Sequence, residues 1–233
     1  MKKALITGGT RGIGLAIAKE LVADGCSVTV TGTHPSDKTP KGCKYIACDF
    51  SDPFQVEDLA QEVSRSEFSV LVNNAGINKI AELDKYDPVD FARIQQVNLH
   101  SSFRLCAAVV PGMRRRRYGR IVNITSIFGV VSKIGRSAYS ASKFGLFGMS
   151  RALALETAAD NVLVNCVAPG FVDTDLTRSV LGPADMKKMA KQIPLARLAK
   201  PEEIARLVRF LAGPENTYIT GQHVVIDGGY TSA

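Results

Sequence analysis

One stretch near the start of the sequence decides the fold: Thr7-Gly8-Gly9-Thr10-Arg11-Gly12-Ile13-Gly14. Residues 2–7 run into it as a short buried strand, and apolar residues then recur at helical spacing until Asp24-Gly25. Glycine in such a turn permits positive φ and lets a pyrophosphate approach the backbone, while the first helical turn supplies free N–H groups. The spacing Gly-x3-Gly-x-Gly therefore predicts a dinucleotide-binding turn, although glycine-rich turns also arise for steric reasons alone.

Short apolar strands alternate with amphipathic helices along the rest of the chain. We predict further strands over 26–31, 44–48, 69–73, 120–125, 162–167 and 223–226, and helices over 54–65, 88–113, 138–158 and 201–211. This alternation predicts an α/β fold, a single Rossmann-type doubly wound parallel sheet of about seven strands with helices on both faces. No Pro/Gly/Ser-rich linker divides the 233 residues. We therefore expect one dinucleotide-binding domain over 1–233, with a small substrate lid around 174–195.

Composition excludes several classes of protein. The net charge of +7 would suit nucleic acid, an anionic surface or an acidic partner, but no helix-turn-helix, RNA-recognition or zinc spacing supports nucleic-acid binding. The five cysteines are odd in number and lack CxxC spacing, so we expect free thiols and no metal site. No stretch reaches the length of a signal or membrane-spanning segment. We expect a cytoplasmic protein without a membrane partner.

The end of the second strand bears on the choice of cofactor. NAD-preferring Rossmann proteins place a carboxylate there for the ribose 2′-hydroxyl, whereas this chain has Thr31-Gly32-Thr33-His34 and no carboxylate until Asp37. Arg11 could pair with a 2′-phosphate and Thr33 could donate a hydroxyl hydrogen bond to it. The sequence thus favours NADP(H), with a plain surface cation as the alternative for Arg11.

A second group of polar residues follows the strand over 120–125. Ser126 comes directly after it, and Tyr139 and Lys143 lie four residues apart on the next helix, where the ammonium can sit beside the phenol. A nearby cation favours the phenolate of a group whose pKa is otherwise near ~10. Tyr-x-x-x-Lys alone is more typical of a structural pair than of a catalytic one.

Taken together, these motifs resemble the short-chain dehydrogenase/reductase family, and within it the bacterial 3-oxoacyl-(acyl-carrier-protein) reductases. The resemblance covers nearly the whole chain in family order. It is carried by the glycine turn, Asn73-Asn74-Ala75-Gly76, Asn98, Ser126, Tyr139-Ser140-Ala141-Ser142-Lys143, Val164-Asn165-Cys166-Val167-Ala168-Pro169-Gly170 and Ile226-Asp227-Gly228-Gly229.

The resemblance implies a catalytic set of four residues. Tyr139 would be the general acid for a carbonyl oxygen, and Ser126 would hydrogen-bond the same carbonyl. Lys143 would hold the nicotinamide ribose, lower the phenol pKa and pass protons onward, while Asn98 would hold the water that links Lys143 to solvent.

The resemblance also implies the residues that bind the cofactor. Asn74, Ala75 and Gly76 would lie against the adenosine part and stabilise the sheet, although Asn and Gly also suit a plain turn. Asp49 would contact the adenine amino group, and Pro169, Gly170 and Thr174 would flank the carboxamide. The whole expected set is Gly8, Thr10, Arg11, Gly12, Ile13, Gly14, Thr33, Asp49, Phe50, Asn74, Ala75, Gly76, Tyr139, Lys143, Pro169, Gly170, Val172 and Thr174.

The expected function is NADPH-dependent reduction of a ketone to a secondary alcohol, the substrate being a 3-oxoacyl thioester on acyl carrier protein or coenzyme A. The alternatives are a dehydrogenase of a sugar, polyol or small alcohol, and a non-catalytic NADP(H)-sensing regulator. Substrate contacts are expected from 127–136 and 174–195, where Met186 and Met189 suit either a mobile lid or ordinary helix packing. The family forms tetramers through the helices over 88–113 and 138–158.

A run of four arginines, residues 114–117, has two interpretations. It is typical of a solvated helix end, where cations suit the helix C-terminus. An acidic acyl carrier protein could also dock on it electrostatically if it lies near the site entrance.

Overall fold

The computed structural model describes residues 2–35, 38–180 and 183–233, and within them a sheet of seven parallel strands. The strands are β1 (Lys3–Ile6), β2 (Ser27–Gly32), β3 (Cys43–Ala47), β4 (Phe68–Asn73), β5 (Gly119–Ile124), β6 (Val162–Pro169) and β7 (His223–Ile226). Their order across the sheet is β3-β2-β1-β4-β5-β6-β7. From β1 the chain adds β2 and then β3 on one side of the sheet, and from β4 it adds β5, β6 and β7 on the other side. This confirms the doubly wound sheet.

Helices cover both faces of this sheet. They are α1 (Gly12–Ala23), α2 (Pro53–Arg65), α3 (Pro88–Gln95), α4 (Ser101–Arg116), α5 (Ser137–Thr157), α6 (Asp175–Val180), α7 (Pro183–Lys191) and α8 (Pro201–Ala212). One core cluster joins α1 and α8 to one face, and a second joins α2 and α4 to the other. Because the strands are buried on both faces of the sheet, their sequences are nearly continuous apolar runs.

The predicted helix over 88–113 is interrupted. A wide turn at Gln96–His100, in which hydrogen bonds span five residues, separates α3 from α4. Such π-turns are frequently found at functional sites because they re-aim one side chain out of helical register. Here the turn carries Asn98, which is fully buried.

The segment expected to form a lid contains two short helices, α6 and α7, separated by residues 181–182, which lie outside the described residues. Ile193 at its end is buried close to Gly228. In the parts of the chain that the structure describes, no helix is both long and apolar enough to cross a membrane.

Candidate active site

The carboxyl ends of the parallel strands share one edge of the sheet, and the predicted site residues follow them there. The glycine turn comes after β1, Asn74 after β4, Ser126 after β5 and Gly170 after β6. The strand order reverses between β1 and β4, which are neighbours in the sheet. Ligands of open α/β sheets bind in the crevice at such a switch point.

The glycine turn has the backbone conformation that the sequence predicts. Gly8 and Gly12 have φ of +64° and +54°, a region that residues with a side chain rarely enter. A Cβ on Gly14 would lie 2.2 Å from the carbonyl oxygen of Gly8. Arg11 precedes α1 without capping it by a side-chain hydrogen bond. The first-turn amides of α1 are thus available to an anion, and the turn fits a pyrophosphate.

The loop after β4 braces this turn. Thr7 Oγ1 accepts hydrogen bonds from the amides of Asn74 and Ala75, each at 2.9 Å. The side-chain amide of Asn74 donates to the carbonyl oxygens of Thr7 at 2.9 Å and Gly8 at 3.0 Å. Asn74 therefore joins the sheet edge to the turn, and both of its side-chain amide hydrogens are used in doing so. Ala75 packs beneath Gly8, and Gly76 is exposed beside them.

The residues expected to select NADP(H) over NAD(H) lie at the carboxyl end of β2. Arg11 and Thr33 are both exposed, and Gly8 is held at β2 by a 3.1 Å hydrogen bond from its amide to Thr31 Oγ1. No residue in the described ranges forms an ion pair with Arg11. Asp37, the first carboxylate after β2 in sequence, lies outside the described residues.

Asp49 and Phe50 follow β3 at the same edge. Asp49 Oδ1 accepts hydrogen bonds from the amide and the hydroxyl of Ser51, which lower the pKa of its carboxyl. Phe50 is buried, and its carbonyl accepts a bond from Ser101 Oγ. Asp49 is a fixed, ionised acceptor that an adenine amino group could use.

Residues after β6 close the other side of the crevice. Pro169 is buried as the last residue of the strand, and the amide of Gly170 donates to Ile226 O at 2.9 Å. Val172 is buried. Thr174 Cγ2 lies 3.5 Å from the position a Cβ would take on Gly12, so this segment meets the glycine turn. Thr10 and Ile13 are half-buried in the same turn.

Ser126 and Tyr139 come together across the end of β5. The Ser126 hydroxyl accepts a 3.1 Å hydrogen bond from the amide of Phe128, so its own hydrogen remains free to be donated. Burial raises the pKa of the Tyr139 phenol, an effect that a hydrogen bond with Ser126 and the charge of Arg136 partly offset. The phenol is consequently protonated at neutral pH and can act as an acid.

Lys143 lies one turn further along α5. It is 3% exposed, its Nζ donates to the carbonyl oxygen of Ile124 at 2.9 Å, and it lies 5.5 Å from the centroid of the Tyr139 ring. Burial lowers the pKa of Lys143 to about 8. Burial raises the pKa of Tyr139, and the cation that opposes this rise is Arg136. A lowering of the phenol pKa by Lys143 stays a prediction.

Asn98 connects the loop after β4 to α5. Its side chain accepts from the amide of Ile77 at 2.9 Å and donates to Ile77 O and Ser142 Oγ, each at 3.0 Å. The expected water link would therefore use the main-chain carbonyl of Asn98, because both side-chain hydrogens are taken. A Cβ on Gly76 would lie 3.4 Å from Asn98 Oδ1 and 3.5 Å from Lys143 Nζ, so the three residues adjoin.

Arg136, the last residue of the segment 127–136 expected to contact the substrate, is a further residue of the site, and the sequence assigned it no role of its own. It immediately precedes α5, and its guanidinium carbon lies 5.3 Å from the centroid of the Phe128 ring. The available signal was its position three residues before Tyr139, which places both side chains on one face of the helix.

The arginine run lies elsewhere, and the expectation that it flanks the entrance of this site is wrong within one chain. Arg116 donates to the carbonyl of Phe68, the first residue of β4. Arg114 and Arg117 both pair with Asp160, and they donate to the carbonyls of Glu156 and Ala159, at the end of α5 and just beyond it. The run is therefore at the amino edge of the sheet, about 20 Å from the carboxyl edge across the six residues of β5. The cause is topological, because a helix that precedes a parallel strand ends where that strand begins.

Comparison with known proteins agrees with this geometry. A protein-family model described as enoyl-(acyl carrier protein) reductase matches residues 8–231. The 3-oxoacyl-[acyl-carrier-protein] reductase of Escherichia coli strain K12 is 40% identical over 237 residues, which cover 98% of this chain and 96% of that protein.

Solved structures also superpose closely. A 3-oxoacyl (acyl-carrier-protein) reductase from Agrobacterium tumefaciens C58 with NADP bound has a TM-score of 0.92 at 32% identity, covering 98% of this chain and 94% of that one. The aldohexose dehydrogenase of Thermoplasma acidophilum has a TM-score of 0.92 at 31% identity, covering 100% and 94%. A further match, at a TM-score of 0.92 and 37% identity, is described only as a short chain dehydrogenase/reductase family protein; it covers 99% of this chain and 97% of that one.

Proposed function

The chain belongs to the short-chain dehydrogenase/reductase family, and from that premise we propose that it reduces the ketone of a 3-oxoacyl thioester to a secondary alcohol with NADPH. The observation that carries the proposal is the meeting of Ser126 and Tyr139 at the carboxyl end of β5, with Lys143 behind them. Two hydroxyl donors converge where a carbonyl oxygen would gain negative charge. Such preorganised donors stabilise that charge as it develops.

NADP(H) fits the residues that line the crevice. The uncapped first turn of α1 and the positive φ of Gly8 and Gly12 would hold the pyrophosphate. Arg11 would donate to a 2′-phosphate and Thr33 would lie beside it, while Asp49 would accept from the adenine amino group. Pro169, Gly170, Val172 and Thr174 would border the nicotinamide. When bound, NADPH supplies the hydride for the ketone carbon.

The chain's own residues supply the proton and the orientation. Ser126 donates to the ketone oxygen, because a carbonyl oxygen only accepts and the amide of Phe128 leaves the hydroxyl hydrogen free. Tyr139, kept protonated by burial, transfers its proton to the same oxygen. Lys143, held on Ile124 O, stabilises the phenolate that results and returns a proton to it, with the carbonyl of Asn98 holding a water on the route to solvent. The intact relay argues against a regulator that only senses NADP(H).

An apolar acyl chain suits the two segments expected to contact the substrate. Val130, Val131 and Ile134 after Ser126 are exposed, as is Leu195 on the opposite segment. A sugar would require polar partners at these positions, yet the likeness to an aldohexose dehydrogenase keeps a sugar or polyol as the second candidate. Residues 127–136 and 174–195 would then decide between the two substrate classes.

The assembly and the location in the cell remain part of the proposal. We expect a cytoplasmic homotetramer that uses α4 and α5, on which Phe103 and Phe144 are exposed. An acyl carrier protein docked on residues 114–117 would then serve the active site of another subunit, because these residues lie at the far edge of their own sheet.

The test is a screen of NADPH oxidation over acetoacetyl thioesters, aldoses, polyols and cyclic ketones, with NADH in parallel. We expect the highest kcat/KM for an acetoacetyl thioester with NADPH. Turnover of aldoses alone would favour the second candidate, and tight NADPH binding without any turnover would favour the regulator.

A further inference from the structure

Arg136 is positioned toward the reacting centre by contacts on two sides. It lies one residue before α5 and three before Tyr139, so the two side chains are about one turn apart on the same face. Its guanidinium stacks on Phe128, and the Phe128 ring in turn meets the Tyr139 ring edge-on, with 6.5 Å between centroids. Arg136 and Tyr139 are close enough for each charge to shift the pKa of the other.

The N–H donors of the Arg136 guanidinium have no acceptor among the residues that the structure describes. Across the described ranges no carboxylate forms an ion pair with it, and no oxygen accepts a hydrogen bond from its side chain. Arg197 shows the usual alternative, since it holds both oxygens of Glu203 at 2.7 and 2.8 Å. Arg136 is half-buried, and desolvation lowers its pKa. A partly desolvated cation with five free N–H donors is poised to bind an oxygen of a ligand.

Position narrows the choice of ligand oxygen, because Ser126 and Tyr139 are already assigned to the ketone oxygen. We propose that Arg136 is a positioning residue that donates a hydrogen bond to the acyl carbonyl oxygen of a 3-oxoacyl thioester, two carbons away from the ketone. The inference rests on the proposed function. It names the feature of the substrate, a second oxygen in 1,3 relation to the ketone, by which this site would prefer 3-oxoacyl compounds to simple ketones.

A contact of this kind would act mainly through binding and orientation. With the ketone held on Ser126 and Tyr139, a second hydrogen bond on Arg136 fixes the rotation about the intervening carbon and so selects the ketone face presented for reduction. Losing a charge-assisted hydrogen bond of this type is expected to lower kcat/KM by about 10- to 100-fold.

The test compares Arg136→Gln, Arg136→Lys and Arg65→Gln with the wild type on an acetoacetyl thioester. Arg65 is the matched control, because it is an exposed arginine in the last turn of α2, at the edge of the sheet opposite the site. We expect R136Q to raise KM about 10-fold or more, R136K to recover part of the loss, and R65Q to stay within about 2-fold. The Kd for NADPH should stay unchanged in all three.

A second measurement separates positioning from the electrostatic effect of Arg136 on Tyr139. In a Tyr139→Phe background the phenol is absent, so R136Q should still weaken binding of the acetoacetyl thioester to the NADP⁺ complex about 10-fold, by calorimetry. An unchanged Kd there, or a loss in kcat with unchanged KM, would overturn the inference and leave the proposed function standing. Failure of the wild type to reduce the thioester would overturn both.

Discussion

The ammonium of Lys143 donates a 2.9 Å hydrogen bond to the main-chain carbonyl of Ile124, the last residue of β5. This bond joins the helix that carries Tyr139 to the strand that leads to Ser126. Burial of the lysine side chain lowers its pKa to about 8. The contact with Ile124 thus sets the position of the group that supports the acid, and its burial sets the proton affinity.

We predict that reductase activity falls on the alkaline side of about pH 8. The charged form of Lys143 is the active one, and because its pKa is lowered it loses its proton roughly two units below an ordinary lysine. The phenol of Tyr139, whose pKa is raised, stays protonated over the same range. A profile of kcat/KM between pH 6 and 10, recorded in excess NADPH, measures this alkaline decrease in activity.

The matched variant for this profile is Lys143→Arg. A guanidinium keeps its charge between pH 6 and 10. The alkaline decrease in kcat/KM should therefore no longer fall within this pH range, even if the overall rate is lower. An identical decrease in K143R would assign the titration to another group.

Thr7 is predicted to matter for stability as well as for the cofactor. Its hydroxyl is the acceptor for two main-chain amides, those of Asn74 and Ala75, and it is 2% exposed. Thr7→Ala would leave both amides without that acceptor and should lower the free energy of unfolding by about 1–3 kcal/mol per amide at most. Urea denaturation of T7A beside Thr7→Ser, which keeps the hydroxyl, measures this. Equal midpoints for the two variants would contradict it.

Gly14 is predicted to be intolerant of a methyl group. Alanine there would place its Cβ 2.2 Å from Gly8 O and 2.6 Å from Asn74 Nδ2, so the glycine turn must move. We expect Gly14→Ala to weaken NADPH binding at least about 10-fold. This factor corresponds to the loss of one charge-assisted hydrogen bond to a phosphate oxygen. Fluorescence titration of NADPH measures this loss, and an affinity for NADPH equal to that of the wild type would contradict the prediction.

Cofactor choice is predicted to reside in Arg11 and Thr33. Arg11→Ala should weaken NADPH binding about 10- to 100-fold and leave NADH binding unchanged, since only NADPH carries the 2′-phosphate. Thr33→Asp should add to this loss by repulsion and improve NADH binding. Titration of both cofactors against each variant decides the matter. A parallel loss of NADH affinity in R11A would show that Arg11 supports the turn instead.

The strands and most helices could be predicted because each depends on local sequence. Buried parallel strands require continuous apolar runs, and the glycine turn requires residues that accept positive φ. The interruption at Gln96–His100 could not be predicted, because nothing local in 88–113 marks a π-turn. It depends on the bonds that Asn98 makes with Ile77 and Ser142, which are distant in sequence.

Within the site, the spacing of Tyr139 and Lys143 was sufficient to place them on one face of α5. The location of residues 114–117 was not evident from charge alone, since a run of arginines carries no information on which edge of the sheet it occupies. Arg136 lies in the segment 127–136 that was expected to contact the substrate, but no role of its own could be predicted for it, for a related reason. Its significance lies in a ring contact with Phe128 and in the absence of an acidic partner within the described residues, and both are properties of the folded chain.

The most direct test of the central claim, that this chain is a reductase with Tyr139 as its acid, is the Tyr139→Phe variant assayed by NADPH oxidation with an acetoacetyl thioester. Removing the phenolic hydroxyl should lower kcat by at least about 10²-fold, the usual contribution of a general acid, while the Kd for NADPH stays within about 2-fold of the wild type because the ring remains. Retention of wild-type turnover by Y139F would contradict the claim.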